Sequence, residues 1–242
     1  MKQVVSIVAL RCVRYNDSHN ILTVYSRENG RMALLLAAGG GKEAVRRRSL
    51  LQPLSMAEIE VNVMRGHDIH RIGEVRPLGT HHSVAVNPLK ASVAMFLAEV
   101  LGIVLREGGA DARVFDFIAS SITVLNELPG DRVANFHLRF LWGLADLLGI
   151  APDTGSYAPG RVFDFAAGRW GVSAPLHNDC LIGMESDFVA RLGRMTYGNM
   201  HRFRLSRSER DRAITGILHY YSIHHTPMDG VKSLDILRSI FG

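Results

Sequence analysis

The chain is 242 residues long, 47% hydrophobic and 21% charged, with a net charge of +5. This is a globular composition with enough apolar residues for a sizeable core, so no disulfide or metal staple is required, and the length suits one large domain or two ordinary ones. The longest apolar run, Ala94 to Leu105, is twelve residues long and contains Glu99, short of the ~20 that a membrane helix needs, which leaves a cytoplasmic protein without a membrane segment as the expectation.

The first eighty residues read as strands. The opening MKQVVSIVALRCVRY begins as a signal peptide does, but Ser6 and Arg11 interrupt it and no small-residue cleavage site follows, so Val4 to Val13 is read as a first strand. From Asn20 to Ser26, Ile21, Thr23 and Tyr25 fall on one face and Leu22 and Val24 on the other. Asn29-Gly30 is a hairpin signal between that run and the apolar stretch Met32 to Ala38. Three glycines, Gly39 to Gly41, then lead into Lys42, Glu43, Arg46, Arg47 and Arg48, read as a flexible loop of four cations and one acid. After Gln52-Pro53-Leu54, Ala57, Ile59, Val61 and Val63 alternate with Glu58, Glu60, Asn62 and Met64 as a half-buried strand. Gly66-His67-Asp68 is a turn, and Ile69 to Val75 forms a fifth strand. Five short strands with no long helix between them predict a small closed barrel, for which the oligonucleotide-binding (OB) barrel is the commonest five-stranded candidate.

The texture changes at Asn87-Pro88, an N-cap followed by a first-turn proline. The next run is apolar nearly all round and predicts a long buried helix ending at Gly108-Gly109. A second helix spans Asp111 to Glu127, and a third spans Arg132 to Leu148. A small hairpin turns at Ala167-Gly168. Ser206-Arg207-Ser208-Glu209 is a capping box that opens a helix to about His225, and a short helix covers Lys232 to Phe241. The class is therefore α+β: a barrel over residues 1–80, then a mostly helical domain over 81–242 with a small hairpin near 160–173.

Charge separates the two parts. Residues 1–80 hold twelve Lys and Arg against seven Asp and Glu, whereas residues 81–242 hold sixteen of each. The electropositive third is the place for a polyanion to land. Hence Lys42, Arg46, Arg47, Arg48 and Arg31 are the expected phosphate ligands, with glycines that allow close backbone approach. Tyr15 and Tyr25 are the aromatic candidates for base stacking, Tyr25 reading equally well as core. Gly41-Lys42 does not make a nucleotide-binding P-loop, because Leu36 stands where the first glycine belongs and Glu43 where Ser or Thr belongs. A second basic run, Arg191, Arg194, Arg202, Arg204, Arg207, Arg210 and Arg212, reads as a solvated helix start or as a further DNA track.

Cys12 and Cys180 are the only cysteines. They form no CxxC pair and are expected to be buried as small hydrophobes. The histidines, among them the pair His81-His82 and the group His219, His224 and His225, lack metal-ligand spacing and carry no HExxH pattern, and no metal or other cofactor is expected. No GxSxG or comparable catalytic motif is present.

Several pieces recur in a recognisable order. Tyr15-Asn16-Asp17-Ser18 precedes the second strand, and Val24-Tyr25-Ser26-Arg27-Glu28-Asn29-Gly30 runs through the hairpin. After the basic segment come Leu50-Leu51-Gln52-Pro53-Leu54 and Glu58-Ile59-Glu60-Val61. In the helical half, Leu138-Arg139-Phe140 leads to Leu147-Leu148-Gly149, and Tyr220-Tyr221 and Lys232-Ser233-Leu234 follow. Over nearly its whole length the chain resembles the RecO recombination-mediator family of bacteria. The resemblance implies a non-enzymatic protein that binds single- and double-stranded DNA and anneals complementary strands. It further implies that the chain partners RecR, recognises the acidic C-terminal tail of the single-stranded-DNA-binding protein, and helps to load RecA onto coated strands. Some members carry a four-cysteine zinc site in the helical half, where this chain has only Cys180. Arg139, beside Phe136, Phe140 and Trp142, is the residue expected to hold the tail carboxylate, since an anion-binding fork next to an apolar groove suits such a tail. Two other classes fit the residues: a generic OB-fold module for RNA or a protein partner, and an enzyme with its site between domains.

Overall fold

The computed structural model describes residues 2–63, 66–79 and 82–241. Met64 of the fourth alternating run and His81 of the histidine pair lie outside the described residues. Five strands close into a barrel: β1 (Lys2–Arg14), β2 (His19–Ser26), β3 (Gly30–Ala37), β4 (Met56–Asn62) and β5 (Ile69–Pro77), in the order β1-β2-β3-β5-β4 with β4 returning to β1. All neighbours are antiparallel except β3 and β5, which run parallel. A five-stranded closed barrel with this order is the OB arrangement.

Alternation explains the core. Val5, Ile7, Leu22, Val24, Leu34 and Ile59 point inward and are buried, while Glu58 and Glu60 point outward along β4. β1 has a register shift between Ala9 and Arg11. Beyond it, β1 pairs with β2 alone, because its ladder with β4 ends at Val8. Residues Arg11 to Arg14 therefore sit on an exposed two-stranded extension. This corrects the expectation for Cys12, which is exposed, and Cys180 is only half-buried.

The segment between β3 and β4 also departs from expectation. It is not a flexible loop: Lys42–Leu50 forms a helix, α1. The signals for it are local. Glu43 stands in the first turn and Arg47 and Arg48 in the last, complementing the helix dipole, and Glu43 is four residues ahead of Arg47.

The other helices are α2 (His82–Val86), α3 (Pro88–Val104), α4 (Ala112–Glu127), α5 (Phe136–Leu147), α6 (Gly183–Gly193), α7 (Arg207–His224) and α8 (Ser233–Ile240). The sequence signals for α3, α4 and α7 hold in detail. The Asn87 side chain accepts from the backbone of Leu89 and Lys90, that of Asp111 from Arg113 N, and the Ser206–Glu209 capping box is complete. The third helix starts later than expected, at Phe136, after a 3₁₀ turn at Gly130–Arg132. Helix α6 was not expected, since glycines bound it and its N-cap, Ile182, supplies no side-chain acceptor. The predicted hairpin is β6 (Val162–Asp164) with β7 (Arg169–Gly171), joined by a third strand, β8 (Cys180–Leu181). At its tip Gly168 has φ +63°, and an added Cβ would lie 2.5 Å from the Tyr220 hydroxyl.

The chain divides into two compact units, Met1–Leu128 with Val231–Ile240, and Pro129–Gly230 with Phe241–Gly242. The break at residue 80 suggested by sequence texture falls inside the first unit, because α3 packs against β1, α2 and α8. Glu99 on α3 accepts hydrogen bonds from the backbone N–H (2.8 Å) and the hydroxyl of Ser233. Lys90, a residue type seldom buried, is 1% exposed and donates to Ser83 Oγ and the Asn126 carbonyl, both at 2.7 Å.

The β2–β3 hairpin is pinned within the first unit. Gly30 adopts φ +68°, and a Cβ there would meet Gly109 C and Ala110 N at 2.9 Å. Tyr25, 1% exposed, accepts from Asp111 N at 3.1 Å, so it is a core residue. Gly30→Ala combines a disfavoured backbone with a clash against backbone atoms that cannot rotate away. It is expected to destabilise the chain by about 2–3 kcal/mol, read as a lower urea midpoint with unchanged slope.

Candidate nucleic-acid interface

Helix α1 has only Ala44, Val45 and Leu50 as apolar residues and buries none of its residues. Such a helix needs attachments other than an apolar face. Gly39 to Gly41 precede it, and a Cβ on any of them would touch nothing within 4 Å, so the glycines relax the approach to the helix without being demanded by space. The attachment comes from the last turn. Arg48 Nη1 donates to the carbonyl of Ala38 at 2.9 Å and to that of Gly39 at 2.8 Å. Ala38 N in turn donates to Ser18 O at 2.9 Å. Ala38 thus links the helix to the β1–β2 turn that carries Tyr15. After α1 the chain drops into the barrel through Leu51 and Leu54, 3% and 2% exposed. Leu54 takes φ +60°, a left-handed backbone held by burial of its side chain and by its N–H bonding to Ala9 O at 2.8 Å.

The expected phosphate ligands therefore fall into different situations. Lys42 and Arg46 are exposed. Arg47 donates from Nε to Glu43 Oε1 at 3.0 Å, and Arg46 lies 3.6 Å from the other Glu43 oxygen. Arg48 is occupied by the two carbonyls. Arg31 lies at the opposite end of β3 from Ala38, paired across from Tyr25. At ~3.3 Å per residue it is roughly 20 Å from the start of the basic segment, so the structure does not bring it to α1. Tyr15 is 60% exposed in the turn joined to Ala38. The same end of the barrel carries Arg11 and Arg14, both exposed, with Arg14 2.6 Å from Asp17. The sequence reading missed these two arginines. Their signal was two cations three residues apart at the end of a strand, next to Tyr15.

In the second unit Phe136 and Phe140 are 1% and 0% exposed. They belong to the core and form no open groove. Arg139 is half-buried and stacks over the Tyr197 ring at 5.6 Å. Tyr197 also stacks on Phe136 at 5.1 Å. The Arg139 Nε is buried with no hydrogen-bond partner. Asp146, whose carboxyl is pushed up by burial and held down by Arg139, shares a side of α5 with it. The open apolar space lies beside this, a cleft of about 900 Å³ whose walls include Trp142, Leu181, Met184, Phe188, Ile217 and Tyr220. Arg191 and Arg212 line it too, as do Glu185 and Asp211. The second basic run is thus divided in role. Arg210 donates to the carbonyls of Leu205 (2.5 Å) and Phe241 (3.1 Å), a structural duty, while Arg191 and Arg212 face the cleft.

Among the described residues no group of three or more His, Cys, Asp or Glu is placed to hold a metal ion. His219 pairs with Asp179 at 2.8 Å, and His224 with the Phe165 carbonyl at 2.7 Å. No helix of the described residues is long and apolar enough to cross a membrane.

Comparison with known proteins identifies the family. Residues 1–81 match the family described as Recombination protein O N terminal, and residues 86–235 the family described as Recombination protein O C terminal. A "DNA repair protein RecO" of Porphyromonas gingivalis is 38% identical over 239 residues, one of Phocaeicola vulgatus 36% over 234, and one of Bacteroides fragilis 33% over 235. Each alignment covers 97% of this chain and 97% of the relative.

The two contacts of Arg48 make a specific expectation. Arg48→Met is expected to lower stability by about 1–2 kcal/mol in urea unfolding. Arg48→Lys, which keeps the charge but lacks the fork that spans two carbonyls, is expected to lose nearly as much. A lysine variant as stable as the parent would show that the charge, and not the clasp, matters.

Proposed function

We propose a strand-annealing mediator's role for this chain, which belongs to the RecO family of DNA repair proteins. The observation that carries the reading is the basic helix α1, exposed at the barrel end beside Tyr15 and anchored through Arg48. Lys42, Arg46 and Arg47 hold the phosphates of single- and double-stranded DNA, with Arg14 extending the track. Tyr15 offers a ring for a base. With one exposed aromatic there, binding is mainly electrostatic and nearly blind to sequence. Neutralising phosphates on two strands at once lowers their mutual repulsion, which is what annealing needs. No side chain in this mechanism forms or breaks a covalent bond.

The second unit ties the protein to its partners. We assign it the acidic, apolar tail of the single-stranded-DNA-binding protein, with RecR as the partner in loading RecA. Arg139, with its unpartnered Nε, remains the sequence-derived place for the tail carboxylate. A second placement is favoured by the open cleft, where Arg212 or Arg191 would take the carboxylate and the apolar walls the hydrophobic side chains. In a titration with tail peptide, Arg139→Ala and Arg212→Ala are expected to differ. The variant at the true site weakens peptide binding about tenfold or more and leaves DNA binding unchanged. No loss in either variant, nor in Arg191→Ala, would remove both placements.

For DNA, about four neutralised phosphates give a log–log salt slope near −3 on single strands, roughly a fiftyfold loss of affinity from about 50 to about 200 mM salt. The triple variant Lys42→Ala, Arg46→Ala, Arg47→Ala is expected to remove about two units of that slope and most of the annealing of complementary oligonucleotides. A parent-like slope and rate in the triple variant would refute the clamp.

A further inference from the structure

Glu43 is the only acid between Glu28 and Glu58. It stands in the first turn of a helix that buries nothing, and its two oxygens face the two arginines best placed for phosphate. Arg47 Nε reaches Oε1 at 3.0 Å and Arg46 Nη1 reaches Oε2 at 3.6 Å. A carboxylate set between two guanidinium groups, one hydrogen-bonded and one at ion-pair distance, occupies the place that a phosphate's oxygens would take. The third arginine of the triplet is held elsewhere by Ala38 and Gly39 and cannot substitute for them.

We infer that Glu43 is a built-in phosphate mimic: it holds Arg46 and Arg47 in the free protein, and DNA must displace it to engage them. The inference rests on the phosphate-clamp reading above. Two consequences follow from the chemistry. In the free protein the carboxylate offsets part of the repulsion among cations crowded onto one short helix that Arg48 already anchors. In the complex the same carboxylate competes with phosphate, which keeps single-strand affinity below what the cation count allows and favours release. A protein that pairs two strands and then leaves the duplex needs such a limit.

The expected size follows from the strength of the two ion pairs that DNA must break. Each of the two exposed pairs that phosphate must displace is worth about a two- to threefold factor, so removal of the carboxylate is worth about three- to tenfold. The competition concerns two specific arginines, which separates it from a general field effect.

The test is a double-mutant cycle on the full-length chain, measuring binding of a labelled oligothymidine across a salt series. Glu43→Gln is expected to tighten binding about three- to tenfold at low salt and to steepen the salt slope by about 0.7. In the Arg46→Ala, Arg47→Ala background the same substitution is expected to change affinity by less than about twofold. An equal gain in both backgrounds would overturn the inference, because Glu43 would then act only through its long-range field. It would also fall if Glu43→Gln left binding unchanged or weaker while Arg46→Ala, Arg47→Ala weakened it, with the clamp itself standing. If the double arginine variant bound like the parent, the clamp would fail and the inference with it. Far-ultraviolet circular dichroism and the thermal midpoint of Glu43→Gln are expected to match the parent, since the side chain is exposed and contributes only surface pairs.

Discussion

The guanidinium of Arg48 decides where the positive charge of this protein stands. Helix α1 buries none of its residues, so an ordinary core contact does not position it. Two hydrogen bonds from Arg48 to the carbonyls of Ala38 and Gly39 take over that work, and Ala38 passes the connection to Ser18 in the β1–β2 turn. A charged donor on two carbonyls is stronger than a neutral pair and, unlike an apolar contact, directional. It aims Lys42, Arg46 and Arg47 off the barrel end while three glycines leave the approach to the helix soft. Leu51, in the barrel core, and the buried Leu54 then lead the chain into β4.

The two units divide the chemistry. The first collects charge on exposed, weakly paired side chains, where attraction for a polyanion is long in range and easily screened. Such contacts suit transient binding to many sequences. The second unit collects aromatic surface. Phe163, Phe165, Trp170 and Tyr220 form one cluster, and a cleft with cationic and acidic residues on its walls opens beside α5, α6 and α7. Under the proposed function, apolar contact supplies short-range affinity there and the charges select which peptide ends are accepted.

Much of this fold was legible because its signals are local. Alternation in β2, β3 and β4, the Asn29-Gly30 turn, the Asn87-Pro88 start of α3 and the Ser206–Glu209 box each act within a few residues, and each appears in the structure. Helix α1 was misread as a loop because the glycines before it outweighed a shorter signal, the Glu43–Arg47 spacing. Helix α6 was missed because it starts without a side-chain cap. At the candidate site, the basic segment and Tyr15 were found by composition and position. The different duties of its arginines were not, since a guanidinium bound to carbonyls and one facing water have the same sequence signature. Phe136 and Phe140 likewise looked like groove residues, yet both are buried.

The amino-acid sequence by itself determined the family, the barrel-then-helices order and the electropositive first third, because periodicity, turn chemistry and charge are properties of neighbouring residues. Tertiary structure alone decided which cations are free. It placed Arg31 at the far end of its strand, bound Arg48 to the main chain, set Glu43 against Arg46 and Arg47, and put the open cleft beside the aromatic residues of α5. The Glu43 pairs follow once residues 42–50 are helical, whereas the Arg48 clasp and the cleft depend on which segments close upon one another, and side-chain packing settles that only once the chain has folded.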